Sequence, residues 1–148
     1  MLEKVRSFTL VELIIVVIIV GILASLGLTQ YSLIVEKSRL AEAKIRLGNM
    51  RQIAYQYYLE HGSLDDIQDA DLDSTPCVST SYYQYRIFWK GSDWVSIGAQ
   101  RCLSNGKAPN ASRQYGFYLY YVPGTDQADW HCFWWDGSFP PCFGYPGT

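Results

Sequence analysis

Apolar residues fill the chain from Phe8 to Leu28, interrupted only by Thr9, Glu12 and Ser25. They occupy every face a helix would present. At about 1.5 Å per residue such a run covers roughly 30 Å, the hydrocarbon thickness of a bilayer. From Ser32 to Glu60 the pattern narrows. Leu40, Ala43, Leu47, Met50, Ala54 and Tyr57, with Ile53 beside them, alternate three- and four-residue steps and form one apolar stripe. Glu36, Lys37, Arg39, Glu42, Lys44, Arg46 and Arg51 mostly take the other faces. No proline interrupts this stretch, and His61-Gly62 supplies a stop signal. The pattern predicts one helix from about residue 8 to residue 60, ~80 Å long. Its first half is apolar all round, and its second half is one-sided and packs on a domain of its own chain.

Beyond Gly62 the period shortens. Ser63 to Ser81 is acidic and turn-rich (Asp65, Asp66, Asp69, Asp71, Asp73, Pro76) and reads as a surface connection. Four strands follow. Tyr82–Trp89 and Trp94–Ala99 flank the turn Lys90-Gly91-Ser92-Asp93, and Gln114–Val122 and Asp129–Trp135 flank Pro123-Gly124-Thr125-Asp126. Tyr, Phe and Trp dominate them, as suits a pleated, half-buried surface. The fold class is therefore α+β: a long N-terminal α-helix, part membrane-grade and part amphipathic, packed on a C-terminal antiparallel β-sheet head. Segments 1–7, 8–31, 32–62 and 63–148 are its expected divisions, and the last two together suffice for one small domain.

Glu12 is the one charge in the apolar run. A carboxylate inside a membrane span costs about 2.5–3.5 kcal/mol on insertion scales, which marks it as functional by default. The segment before the run, MLEKVRS, is short and polar. A secretory signal is cut after its apolar core, at small residues. Here the small residue, Ser7, stands before the core. Cutting after Ser7 would leave the helix on the mature chain with Phe8 as its new amino terminus, about one helical turn from Glu12. In a bundle of such helices the Phe8 ammonium of one copy could meet Glu12 of the next. Two unit charges about 4 Å apart attract by about 4 kcal/mol at an effective dielectric near 20, and breaking the pair strands a buried charge. Phe8 and Glu12 would then fix one axial offset between neighbours.

Ser7-Phe8-Thr9-Leu10-Val11-Glu12-Leu13-Ile14 resembles the prepilin-peptidase motif of type IV pilins and the related pseudopilins. The likeness is specific over residues 1 to about 31 and architectural beyond. It implies a pilin-like fold, cleavage between Ser7 and Phe8 by a membrane aspartyl protease, methylation of the Phe8 amine by the same enzyme, and polymerisation through the helix. Implied partners are further copies of the chain in a helical filament, the prepilin peptidase, an inner-membrane assembly platform and membrane lipid. The implied location is the inner (cytoplasmic) membrane before assembly, with Lys4 and Arg6 holding the leader inside, and an extracellular pilus or periplasmic pseudopilus afterwards. A pilus subunit is the first reading. A pseudopilin of a type II secretion or DNA-uptake system and a minor adhesive pilin are the alternatives. Two positions depart from the family pattern. Ser7 replaces the commoner glycine, and Thr29 stands where a proline is usual, with Gly21 and Gly27 nearby. Without that proline the helix should be straighter.

Four cysteines, Cys77, Cys102, Cys132 and Cys142, all lie beyond the helix. An even count confined to an exported region predicts disulfides. Three pairings are possible, and Cys77–Cys102 with Cys132–Cys142 is favoured because each closes a loop between or after strands. The second ring would resemble the C-terminal disulfide loop of many pilins. No Cys-x-x-Cys spacing supports a metal, and no cofactor is expected. His61, His131 and the turn acids Asp126, Asp129 and Asp136 form no catalytic motif, so enzymatic activity is not expected, and the three acids read as solvated rather than as a calcium site.

The aromatic residues are the remaining signal. Tyr115, Phe117, Tyr118, Tyr120 and Tyr121, then Trp130, Phe133, Trp134 and Trp135, occupy both parities of their strands. Both sheet faces should therefore carry rings. One covers the helix, and the other packs against a neighbouring subunit, stays partly exposed, or stacks on glycans or single-stranded DNA, in that order. Charge argues against nucleic acid. The chain has 12 basic and 14 acidic side chains for a net −2, and losing the leader makes it more negative. Arg101, Lys107 and Arg113 are the one candidate basic patch.

Overall fold

The computed structural model describes residues 9–109 and 115–134. One helix, α1 (Leu10–His61), precedes a short 3-10 helix (Asp69–Leu72) and four strands, β1 (Tyr83–Lys90), β2 (Val95–Arg101), β3 (Tyr115–Val122) and β4 (Gln127–Trp134). The chain divides into two compact units between Ser38 and Arg39. The first holds the apolar part of α1, and the second holds the remainder of α1 with the sheet.

Local chemistry sets the ends of α1. It starts after Thr9, and Gly62 ends it in the left-handed region (φ 72°), its N–H donating to the Tyr58 carbonyl at 2.8 Å. A glycine there avoids the Cβ penalty of that conformation. His61 stacks on Tyr57 with ring centroids 4.1 Å apart. The helix runs unbroken through Gly21, Gly27 and Thr29.

In the second unit the four strands form one antiparallel sheet in the order β1-β2-β3-β4: the two expected hairpins are present, and β2 pairs with β3 to join them. The helical stripe is buried as its spacing predicts: Leu40, Ala43, Leu47, Met50 and Ala54 join Tyr83, Tyr85, Val95, Ile97, Phe117, Leu119 and Tyr121 in one core, with Ile53 and Tyr57 packed against it. Strand ends differ from expectation by one or two residues. Expected to stop at Ala99, β2 continues through Gln100 and Arg101, which pair with Gln84 and Tyr83. Arg101 can end a buried strand because its guanidinium donates to the carbonyls of Tyr82 (2.9 Å) and Ala108 (2.6 Å). Similarly β4 starts at Gln127 rather than Asp129, since Gln127 and Ala128 pair with Val122 and Tyr121. Gln114 and Trp135 lie outside the described residues.

The acidic connection is more than a surface strap. Its aspartates are exposed, but Leu64, Ile67 and Leu72 are fully buried in the core. Polar composition hid three isolated apolar anchors. The same segment closes the free edge of β1: Thr75 exchanges backbone hydrogen bonds with Tyr85 (3.1 and 2.8 Å), and the Asp69 carboxylate accepts the Ile87 N–H at 2.6 Å. An unpaired edge would otherwise invite another strand. A disulfide joins Cys77 to Cys102, tying this connection to the end of β2.

Candidate assembly site

Glu12 sits in the first turn of α1, and its carboxylate is engaged within its own chain. Oε2 accepts the backbone N–H of Thr9 at 2.9 Å and the Thr9 hydroxyl at 2.7 Å, while Thr9 Oγ1 accepts the Glu12 N–H at 3.3 Å. This is a reciprocal capping box, which satisfies helix donors that have no intrahelical partner. A carboxylate at that end also faces the positive pole of the helix dipole. The sequence reading assigned Thr9 no role. Its signal was the spacing Thr9-x-x-Glu12 directly ahead of an apolar run. Both Thr9 and Glu12 lie after the expected cut, so processing would leave the box intact. Both bonds fall on Oε2, and among the described residues Oε1 accepts none.

Behind this cap, α1 presents apolar side chains on all sides. The window Leu10–Gly27 has a mean hydropathy of 2.8 and the length to cross a membrane, and none of it is buried within the chain. Exposure of its large side chains runs from 48% at Ile14 to 75% at Leu10. Such a surface is stable only against lipid or other helices. Ser7 and Phe8, the expected cleavage and methylation residues, lie outside the described residues.

The remaining candidates separate cleanly. Cys77 and Cys102 are bonded to each other. Cys132 is buried on β4 and disulfide-bonded, and Cys142 lies outside the described residues. The proposed basic patch does not form as a surface: Arg101 is 1% exposed and holds loop carbonyls, Lys107 is exposed, and Arg113 lies outside the described residues. Arg101 was misread because its polarity hid its place in the ladder. Asp126 meets Arg51 (3.5 Å) and the Tyr121 hydroxyl (3.2 Å), and Asp129 accepts from Gln127 (2.7 Å). Asp136 lies outside the described residues. His61 closes the helix, and His131 faces away from Cys132, pairing with Tyr118 where Cys132 pairs with Phe117.

The rings sort onto two faces as their parity requires. Tyr115, Phe117 and Tyr121 are buried towards α1, with Trp130 stacked on Phe117 at 5.0 Å. Burial pushes the Tyr85 hydroxyl up to about 12, the Glu42 charge adds to the rise, and Arg46 opposes it. Tyr121 and Tyr57 are also raised, chiefly by burial, with Asp126 and Asp71 as the leading acids beside them. The opposite face carries Phe88, Trp89, Tyr118 and Phe133 in mutual contact at centroid distances of 5.2 to 6.3 Å. Trp134 is part of β4, and Trp135 lies outside the described residues.

Comparison with known proteins points to the same end of the chain. Residues 4–28 match the family described as the prokaryotic N-terminal methylation motif. A type IV major pilin protein PilE1 of Neisseria gonorrhoeae is 39% identical over 57 residues, covering 38% of this chain and 34% of the relative. A probable minor fimbrial protein of Dichelobacter nodosus is 39% identical over 62 residues, 42% of this chain and 38% of its own length. Prepilin peptidase-dependent protein D of Escherichia coli K12 is 27% identical over 128 residues, 86% of this chain and 79% of its own. The matched stretch thus spans about a third of the gonococcal pilin's length. No solved structure matches the chain. The first two relatives are a pilin and a fimbrial protein by name.

Proposed function

We propose that this type IV pilin-like chain, which carries the N-terminal methylation motif, is the structural subunit of a pilus filament. In this reading a prepilin peptidase cuts after Ser7 and methylates Phe8, and an inner-membrane platform draws the chain from the lipid into a helical bundle of copies. The observation that carries the reading is a single carboxylate, Glu12, at the start of an apolar helical window, Leu10–Gly27, none of which is buried within the chain. The capping box orients that carboxylate, and its Oε1 is the atom to which the Phe8 ammonium of the neighbouring copy would donate. The pair forms only after cleavage, which couples processing to assembly. A minor-subunit role is the second reading, supported by the similarity to a minor fimbrial protein.

The test compares wild type with Glu12→Ala in cells that make the protein. Sheared surface filaments should contain at least tenfold less of the variant, while its level in the membrane fraction stays at that of wild type. Normal incorporation of the variant would end the pairing idea. Absence of the wild-type chain from any filament would end the structural-subunit reading itself. Mass spectrometry of the mature chain should show a methylated Phe8 terminus. Negative-stain images of a deletion strain separate the two readings, since only loss of a main subunit removes the fibres.

A further inference from the structure

The head carries charge of opposite sign at its two ends. Where β1 begins, the Tyr82 ring gathers cations: the Arg39 guanidinium lies 4.7 Å from its centroid and the Lys107 ammonium 4.9 Å, with the buried Arg101 at 5.7 Å. Arg101 turns inward to its loop carbonyls, and the half-buried Arg39 of α1 stands beside the exposed Lys107 in its place. The loop 102–109 that presents Lys107 is tied on both sides. Cys102 is bonded to Cys77, the Lys107 N–H donates to the Ser81 carbonyl (2.8 Å), and Arg101 holds the Ala108 carbonyl (2.6 Å). Asn105 and Ala108 adopt positive φ (58° and 45°). That conformation strains alanine, and such strain persists where the surroundings enforce it and clusters at sites that bind. Among the described residues Lys107 makes no ion pair.

The other end of the head lies about 33 Å away along α1. Glu60, Asp65, Asp66 and Asp93 are exposed there, the acidic connection and the β1–β2 turn being joined by the Leu64 N–H donating to the Ser92 carbonyl at 2.8 Å. Among the described residues none of these acids is in an ion pair. Arg51 is paired with Asp126, and the Lys90 ammonium donates to the Ile67 carbonyl. We propose that the Lys107 loop, with Arg39 beside it, is a docking surface for a second copy of this chain, and that it takes the acidic end of that copy's head. Like charges gathered at one end repel one another, and a surface of opposite sign relieves both ends at once. The two surfaces differ and lie at opposite ends of one head, so the contact is head to tail. Repeated without closing into a ring, such a contact builds an open helical array. The tied loop holds Lys107 in place beforehand, so docking orders little that was free. A phosphate would suit the cations but would leave the acidic end unmatched.

This contact rests on the filament reading and is separate from the pairing of Phe8 with Glu12. The measurement is the amount of each full-length variant in sheared surface filaments relative to its level in the membrane fraction. Lys107→Glu should fall about fivefold or more, and so should a chain carrying Asp65→Lys with Asp66→Lys. Combining the three changes restores opposite signs across the contact and should recover incorporation to within about twofold of wild type. A head that failed to fold would not be rescued by changes at its far end, so recovery also excludes misfolding. Arg86→Glu, which reverses an exposed cation in the middle of β1, should assemble as wild type does. The proposal is overturned if either reversal assembles normally, if the combined variant is as defective as its parents, or if Arg86→Glu falls as far as Lys107→Glu. Loss with Lys107→Glu and no rescue would assign the cations to another anion, such as a lipid phosphate. Absence of the wild-type chain from every filament would overturn the filament reading and this contact with it, whereas normal wild-type filaments that ignore Lys107 overturn the contact alone.

Discussion

Tyr85 shows how burying one side chain sets a pH limit on the head. Its ring lies under the Arg46 guanidinium at 4.6 Å and is 2% exposed, and its hydroxyl is raised to about 12 by burial first and the Glu42 charge second. The ordinary tyrosine value is near 10. A raised pKa means the folded state holds the proton more tightly than the unfolded chain. The resulting stability is complete below about pH 10 and is lost as pH rises through about 12. Urea midpoints should therefore fall between about pH 9 and about pH 11.5, and Tyr85→Phe should lose less over that interval than wild type. An identical loss would assign the alkaline limit to Tyr57 and Tyr121, which are also raised. At this scale the sequence was informative about Glu12, because a charge in an apolar run stands out by composition alone. It was uninformative about Arg101. A charged residue at a strand end reads as exposed unless the carbonyls that accept from it, here those of Tyr82 and Ala108, are known.

Among the elements, α1 was legible because a three-four spacing with no proline has one regular solution, and both hairpins were legible because their turns carry Gly and Pro at the break. Strand ends were less so, since Gln100, Arg101, Gln127 and Ala128 pair in the ladder without an alternating pattern to announce it. The two-sided aromatic sheet was readable only as parity. What the sequence could not show is how rings of adjacent strands share one surface. Gly98 and Gly116 answer that, for an added Cβ would meet the Phe88 ring at 2.2 Å and the Phe133 ring at 2.0 Å. Each phenyl group occupies the space that a side chain would need in the neighbouring strand. Overpacking of this kind costs about 1–3 kcal/mol. Gly98→Ala should thus lower stability to urea by about that amount, and Phe88→Ala in the same chain should recover part of it. If Gly98→Ala costs the same with and without Phe88, the two do not pack as a unit.

The head as a whole depends on a segment that looks dispensable from its composition. Between α1 and β1 the chain is acidic and exposed, yet Leu64, Ile67 and Leu72 plug the core, Asp69 and Thr75 close the edge of β1, and Cys77 is bonded to Cys102. The Lys90 ammonium adds a bond to the Ile67 carbonyl at 2.6 Å. These anchors act at different sequence distances, which is why no local pattern revealed them. The disulfide spans 25 residues and includes all of β1 within its loop. Closing a loop of that size restricts the unfolded chain and contributes about 2–4 kcal/mol. In the folded state the bond holds the connection beside Arg101, whose guanidinium bonds the strand end to the loop after it. Cys77→Ser with Cys102→Ser should therefore lower the unfolding free energy by about 2–4 kcal/mol while leaving the circular dichroism of the folded head unchanged, because the apolar plugs and the edge contacts remain. Reduced wild type cannot substitute for this variant, since Cys132 is disulfide-bonded as well. A loss below about 0.5 kcal/mol would mean that the three plugs alone seat the connection. Loss of the sheet signal would mean that they cannot seat it without the covalent tie.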